Sequence, residues 1–423
     1  MRTATKLVTC LATVGGLLAS TACGVGGTAS PGGEGGEGGV ALRMSVWTAD
    51  EKQLALFDSI AAEYTASHPE VSSVTFESLP FADYNTTLST QIAGGSAPDL
   101  AWVGDIAVDL MAADALVPLT EPFSTAEGYD YPDILPSVTQ GFSKDGELYA
   151  YPFSNSPFAM YVNADLLAEV GEEVPEQLTW EEVERIGAEV SEETDAEGFV
   201  IRDFEYSSWM SLATVWTGWG ATPWEGSTCT MNSPEMTEAF QFVHDAAFES
   251  GAMPGPGTSV DFFAGDAAFT TAQVSRAGLI DGSFEFEILP LPAGPVGEYA
   301  TLGQAGMGVI ASSENVEEAT DFLTFMTNPE NSAKLAQFFP PPRSSLLSGE
   351  KLAEVNTVLS AEQLDRVVVQ ELPEAVSPPV HTGQAEIVQT GKESLDAMWT
   401  PDADVKAVLD STCTAIEPLL QAE

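Results

Sequence analysis

The chain has 423 residues, 44% of them hydrophobic, with 14 Lys and Arg against 64 Asp and Glu and a formal net charge of -50. That apolar content excludes a wholly disordered chain, and the length allows two lobes with cores of their own. The charge excludes electrostatic binding of nucleic acid or of an anionic lipid surface; it reads as a solvated acidic exterior, a habit of proteins adapted to salt, rather than as a site.

The first residues form an address. Arg2 and Lys6 are a short basic region, and the apolar run 7–20 has signal-peptide length, short of the ~20 residues a membrane span needs. Ser20-Thr21-Ala22-Cys23-Gly24 resembles a bacterial lipobox, with Ser20 where Leu or Val is usual. The motif implies cleavage after residue 22 and diacylation of Cys23; an ordinary signal peptide cut without lipidation is the alternative. Residues 24–40, GVGGTASPGGEGGEGGV, make a flexible polar tether. We therefore expect a signal peptide over 1–22, a lipid-anchored tether over 23–39 and a folded body from residue 40. No later run reaches the ~18 apolar residues of a membrane helix.

The body opens with alternating Leu42, Met44 and Val46, a strand. Thr48 and Glu51 have capping-box spacing, and Leu54, Phe57, Ile60, Ala61 and Tyr64 form a helical stripe. A strand over 71–77, a helix over 84–93, a buried strand over 99–103 and a short helix over 106–113 follow. That alternation predicts an α/β lobe with a largely parallel sheet. Further on, Thr179 and Glu182 form another capping box, opening a helix through Val183, Ile186 and Val190. Residues 208–217 read as an aromatic-rich helix. Asn232-Ser233-Pro234 starts a helix with the stripe Met236, Ala239, Phe240, Val243 and Ala247, stopping at Gly251. Strands are expected over 284–289 and 306–311. Helices are expected over 315–327, beyond the Asn328-Pro329 break to 338, and over 404–420.

Cys10 and Cys23 belong to the address, leaving Cys229 and Cys413. In a compartment where disulfides persist they suggest one bridge, with two buried thiols as the alternative. Three scattered histidines give no metal pattern, and neither a metal nor a cofactor is expected.

Several segments, weak singly and strong in order, carry a family likeness. They are SAPDLAWVGD (96–105), GELYAYPFSNSPFAMYVNADLL (146–167), LTWEEVERIG (178–187), TMNSPEMTEAFQF (230–242), FFAGDAAFTT (262–271), ILPLPAGP (288–295), ATDFLTFMTNPENSAKL (319–335) and PPPRSSL (340–346). The chain resembles the extracellular solute-binding proteins of the maltose-binding type, family 1, over nearly all of residues 42–420. The resemblance implies a type II clamshell of two α/β lobes, each a sheet flanked by helices. Crossovers are expected near 153–156, 289–291 and 327–331, with lobe one at 40–152 plus 292–328 and lobe two at 153–291 plus 329–423. It also implies a binding subunit rather than an enzyme: a monomer that captures a carbohydrate outside the cell and delivers it to the permease of an ABC importer. A polyamine cargo and, more remotely, a lipid-anchored glycoside hydrolase are the alternatives.

Sugars need flat apolar faces and paired polar groups. Trp209, Trp216, Trp219 and Trp224 fall within 16 residues, and Gly218 and Gly220 flank Trp219, so Trp219 is the first candidate for stacking. A core stripe is the alternative for these rings. Trp47, Asp50 and Glu51 follow the first strand and Asp105 follows the third, where ligands of open α/β sheets collect; helix capping is the alternative for the carboxylates. Gln304 borders the cleft in relatives, Asn155 lies at the first crossover, and Arg343 is either a ligand contact or a partner of the acidic surface.

Overall fold

The computed structural model describes residues 39–201, 209–255 and 260–422, apart from the side chains of Ala82 and Met210. The expected signal peptide, the lipidation site Cys23 and the tether up to residue 38 lie outside the described residues.

The first lobe begins with β1 (Val40–Val46), α1 (Glu51–Ser67), β2 (Val71–Ser78), α2 (Phe81–Ala93), β3 (Leu100–Val103) and α3 (Ala107–Ala112). β1 pairs in parallel with β2 and with β3. The stripe Phe57, Ile60, Ala61 and Tyr64 buries α1 in the first core. The cap of α1 differs from the expected Thr48–Glu51 box. Asp50 is the N-cap, its carboxylate accepting the Lys52 and Gln53 amides at 2.8 and 2.9 Å, while Thr48 Oγ1 accepts the Asp50 amide. The charged acceptor makes the stronger bond to the helix N-terminus, which moves the start two residues on.

The chain continues through β4 (Ala150–Asn163), α4 (Trp180–Glu193), β5 (Glu197–Ile201), α5 (Trp209–Trp216), α6 (Pro234–Phe248), β6 (Ala267–Gln273) and β7 (Phe286–Leu289). β8 (Leu302–Val309), α7 (Val316–Met326), α8 (Pro329–Leu335), α9 (Gly349–Val355), α10 (Gln384–Leu395) and α11 (Val405–Leu420) complete it. The capping box at Thr179 and Glu182 and the Ser233 cap with Pro234 at the first helical position are present.

β4 belongs to two sheets. Residues 150–157 pair antiparallel with β8, which pairs antiparallel with β3, giving the order β2-β1-β3-β8-β4. Residues 158–163 pair with β6 on one side and β7 on the other, and β5 lies parallel outside β6. Pro157 faces Leu302 on the last rung of the first sheet, and Phe158 faces Gln273 on the first rung of the second. One strand thus runs out of one lobe and into the other.

The first sheet packs in a core containing Phe57, Trp102, Met307 and Phe322. The second sheet is covered on both faces. Met160 and Val162 pack with Val183, Phe240 and Ile416, while Ala159 and Tyr161 pack with Phe262, Leu352 and Val367. The cores divide the chain differently from the expected boundaries at 292 and 329. Ala293 still hydrogen-bonds to Leu178 and Trp180 of the second lobe, and the passage comes at Tyr299–Ala300. Leu335 and Phe339 pack in the first core, so α8 stays with lobe one, and Leu372 and Ala375 return to that core before α10 enters the second. Cys229 and Cys413 are joined as a disulfide with Cα atoms 5.4 Å apart, tying the short hairpin before α6 to α11.

Candidate functional site

The carboxyl ends of β2, β1 and β3 lie side by side on lobe one. Trp47 follows the central strand. Its half-buried ring stands edge-on to Tyr84, Trp102 and Phe81, with centroids 5.0, 5.1 and 5.8 Å away. Tyr84 braces the arrangement from below: its buried hydroxyl donates to the carbonyls of Ser45 and Trp102, each at 2.9 Å. Phe81, at the start of α2, is 74% exposed. On the other side the Trp47 ring reaches over Gly104, where an added Cβ would come 3.9 Å from Trp47 Cη2, and Asp105 is the next residue.

Two grooves run between the lobes, each lined by residues of both. One, of about 800 Å³, runs between Asn85, Thr86 and Asp105 on the first lobe and Gln384, Gln389 and Lys392 of α10 on the second. At its side Asp109 Oδ1 accepts the Gly383 amide at 2.8 Å, a direct bond between lobes. Water reaches Asp105, yet the surrounding walls crowd its hydration and hold its carboxyl above the usual carboxylate range. The other groove, of about 810 Å³, brings Asp50, Lys52 and Gln53 opposite Ser275, Arg276, Leu279 and Val358. Together they offer carboxylates, amides, hydroxyls and a few cations, which suits a polyhydroxylated solute.

The structure gathers Trp47, Asp50 and Asp105 here, with Asp50 also serving as a helix cap. Glu51 is exposed in the first turn of α1 and lines neither groove. The lobe-two tryptophans require correction. Trp216 and Trp224 are 3% and 4% exposed, packed with Trp209 in the second core. Trp219 is half-buried against Trp180 and Phe242 and, like Trp47, lines neither groove. Its glycines do mark a turn, since Gly220 has φ +73°, but they do not expose the ring. A Cβ on Gly218 would come 2.8 Å from Tyr299, and one on Gly220 would come 2.9 Å from Val296. The glycines admit neighbours instead of clearing them away.

Arg343 is also corrected. It is wholly buried, donating to the carbonyls of Asp130 and Thr327 and to Ser332 Oγ, with Asp133 Oδ2 at 3.7 Å and the Tyr129 ring 4.8 Å beneath it. Every direction is taken by lobe one, so its task is to fasten residues 129–133 to the α7–α8 junction. Asn155 and Gln304 meet each other rather than a groove. Gln304 Nε2 donates to Asn155 Oδ1 and to the Val138 carbonyl, both at 2.8 Å, and Gln304 Oε1 accepts from Ser377. Asn155 is fully buried and donates to the Pro152 carbonyl. This is a polar knot on the shared strand.

Phe81, Asp109 and Lys392 escaped the sequence reading. Applying the strand-end rule to β2 would have found Phe81. Lys392 lies on α10, a helix the periodicity did not reveal. Among the described residues no group of three His, Cys, Asp or Glu could hold a metal, and no helix is long and apolar enough to cross a membrane.

Residues 59–357 match the family model described as bacterial extracellular solute-binding protein. The arabinooligosaccharide-binding protein of Halalkalibacterium halodurans is 24% identical over 329 residues, covering 72% of this chain and 72% of its own. An ABC substrate-binding protein of Listeria monocytogenes, solved in complex with cycloalternan, superposes with a TM-score of 0.79 at 21% identity, over 91% of this chain and 100% of that one. The cyclic alpha-maltosyl-1,6-maltose binding protein of Arthrobacter globiformis gives 0.78 at 21% identity, with the same coverage. These solved structures share the two-lobed fold, and with more than half its length matched by the family model, the chain belongs to the bacterial extracellular solute-binding proteins.

Proposed function

We propose that this protein is the substrate-capturing subunit of an ABC importer for a carbohydrate, binding its cargo between the lobes and presenting it to a permease without chemical change. The observation that carries the reading is the groove in which Asp105, at the end of the third strand, stands opposite the polar side of α10, with Trp47 and Phe81 in contact at the two adjacent strand ends. Indole and phenyl faces cover the C–H surface of a sugar ring, and a carboxylate accepts charge-assisted hydrogen bonds from paired hydroxyls. The names of the curated relatives, two of them arabinooligosaccharide-binding, point to the same ligand class. Ligand binding favours the closed arrangement only by its differential affinity for that state. Lys392, Lys52 and Arg276 along the grooves weigh against a polyamine.

A thermal-shift screen of the purified protein against sugars and polyamines tests the ligand class. A cognate sugar at a hundred times its Kd stabilises by about 2.7 kcal/mol, a clear rise in Tm. A rise with polyamines alone overturns the carbohydrate reading. The lipobox further proposes a diacyl anchor at Cys23 on the outer face of the membrane. Two chains hold firmly where one does not, so Cys23→Ser should move the protein into the medium, read by fractionation.

A further inference from the structure

Asp109 and Gly383 belong to elements seated in different lobes. Asp109 lies on α3, whose Ala107, Leu110 and Met111 are buried in the first core. Gly383 opens α10, and α10 is fixed to the second. Ile387 and Leu395 are buried there, and at Gly391 the helix lies so close to the Trp209 ring that a Cβ would find no room. Two residues before Gly383, the His381 ring stands edge-on to Trp224 of the same core, with centroids 6.2 Å apart. The chain has therefore finished its passage from lobe one before it reaches residue 383. The 2.8 Å bond from the Gly383 amide to Asp109 Oδ1 joins two bodies, and it must break when they part.

The same bond supplies what the sequence of α10 lacks. α6 is capped by Ser233 and α11 by Asp404. α10 begins instead on Gly383, at φ +74°, with no side chain to accept an amide. The acceptor comes from the other lobe, and it is a carboxylate at the positive end of a helix of 12 residues. Separating the lobes leaves that end to water. α10 in turn presents Gln384, Gln389 and Lys392 to the groove opposite Asp105, which lies four residues before Asp109.

We propose that Asp109 is a positioning residue for ligand capture, a latch that holds α10 of lobe two against α3 of lobe one and so sets the fraction of the protein that is closed. This rests on the reading that cargo binds between the lobes, and it is independent of the cargo's chemistry. Both ends of the latch are protein atoms, so its contribution is the same for every ligand that fits the closed groove. Apparent affinity follows the fraction of molecules in the binding-competent state. Weakening the latch lowers that fraction, and every ligand loses affinity by one common factor, chiefly through faster release.

The test compares the whole parent protein with Asp109→Ala and Asp109→Asn, first with no ligand added and then with maltotriose and arabinotriose. Small-angle X-ray scattering without ligand should give Asp109→Ala a larger radius of gyration than the parent, and the Gly383 amide should exchange its hydrogen faster. Asp109→Asn should lie near the parent in both, because its side-chain oxygen can accept the same bond without the charge. In calorimetric titration Asp109→Ala should weaken each sugar that binds the parent by the same factor, about five- to tenfold, the lower end for a charge-assisted bond because water reaches it. A lowered Tm with unchanged scattering means that Asp109 only steadies the start of α10, and overturns the latch. A loss of affinity that differs between the two sugars places Asp109 on the ligand and also overturns it. Scattering that changes as expected while polyamines bind and neither sugar does keeps the latch and overturns the carbohydrate reading alone.

Discussion

Tryptophan appears in two settings in this molecule, one open and one filled by the core. At the strand ends of lobe one, Trp47 keeps part of its ring open beside Phe81 and Asp105. In lobe two, Trp209, Trp216 and Trp224 are 3–5% exposed in a cluster that fills the space between α5, α6 and the disulfide-tied hairpin. The residue type is the same, and the difference lies in the element that carries it. Rings on α5 and on the short hairpin beside it are covered by the second core, whereas a ring just past a strand's carboxyl end meets a crevice that the chain leaves open. Density of tryptophan along the sequence is therefore a poor guide to which rings stay open, and position relative to strand ends is a better one.

The contrast would break first at Trp216. Replacing it with Ala should cost about 3–5 kcal/mol of stability, the usual loss for a buried large aromatic, read as a shift in denaturant midpoint. Affinity of the folded fraction for a sugar should hold. A Trp216→Ala protein with parental stability and lost binding would reverse the assignment of the two regions. Trp47→Ala should show the opposite balance. Part of its ring is already open, so stability should fall less, while binding should weaken by about 1–3 kcal/mol, as for a central aromatic contact. Titration beside a melt of the same variant separates the two terms. Equal losses in both would mean that Trp47 serves the core as much as the groove.

The comparison also explains what could be read from the sequence. The parallel run β1-α1-β2-α2-β3 was legible because its first elements show their period and β3, buried throughout, is a short apolar run set between them. β4, the strand that joins the lobes, was not legible as a strand. Thirteen of its fourteen residues are buried, both faces being covered, so no period-two alternation survives, and Pro152 and Pro157 interrupt it. β5 and β6 were missed for the same reason, with nearly every residue buried. The placement of Trp47, Asp50 and Asp105 beyond strand ends followed from the order of strands and helices. Arg343 misled because one of few cations in an acidic chain suggests a ligand contact or a surface ion pair; only the tertiary structure reveals the carbonyls of Asp130 and Thr327 that hold it. The Asn155–Gln304 pair misled in the same way, since proximity to a crossover does not say whether a polar group faces the cleft or its neighbour.

The smallest effect concerns two carboxyls, one in each kind of setting. Asp105 lies in the groove, where crowding raises its carboxyl. Glu371 lies where residues 371–377 pass beside 298–302, joined by the Val376 amide to the Ala300 carbonyl and the Leu302 amide to the Val376 carbonyl. Burial first, and then the neighbouring charge of Glu298, push Glu371 up to about 7. A carboxyl raised in the folded state contributes stability that is fully present below its unfolded value of 4.5 and lost as the pH rises through about 7. Parent protein should therefore lose part of its thermal stability between pH 5 and pH 8 through this group (roughly the window its shift spans). Glu371→Gln should melt higher than the parent at pH 8 and nearly level with it below pH 4.5, by a few degrees at most because the side chain is only half-buried. Sugar affinity of this variant should keep the parental pH profile, since Glu371 lines neither groove. Asp105→Asn should do the reverse, changing the pH profile of binding more than that of melting. If Glu371→Gln instead moves the binding profile, the passage between the lobes is coupled to ligand capture, and the division between folding residues and binding residues fails at the hinge.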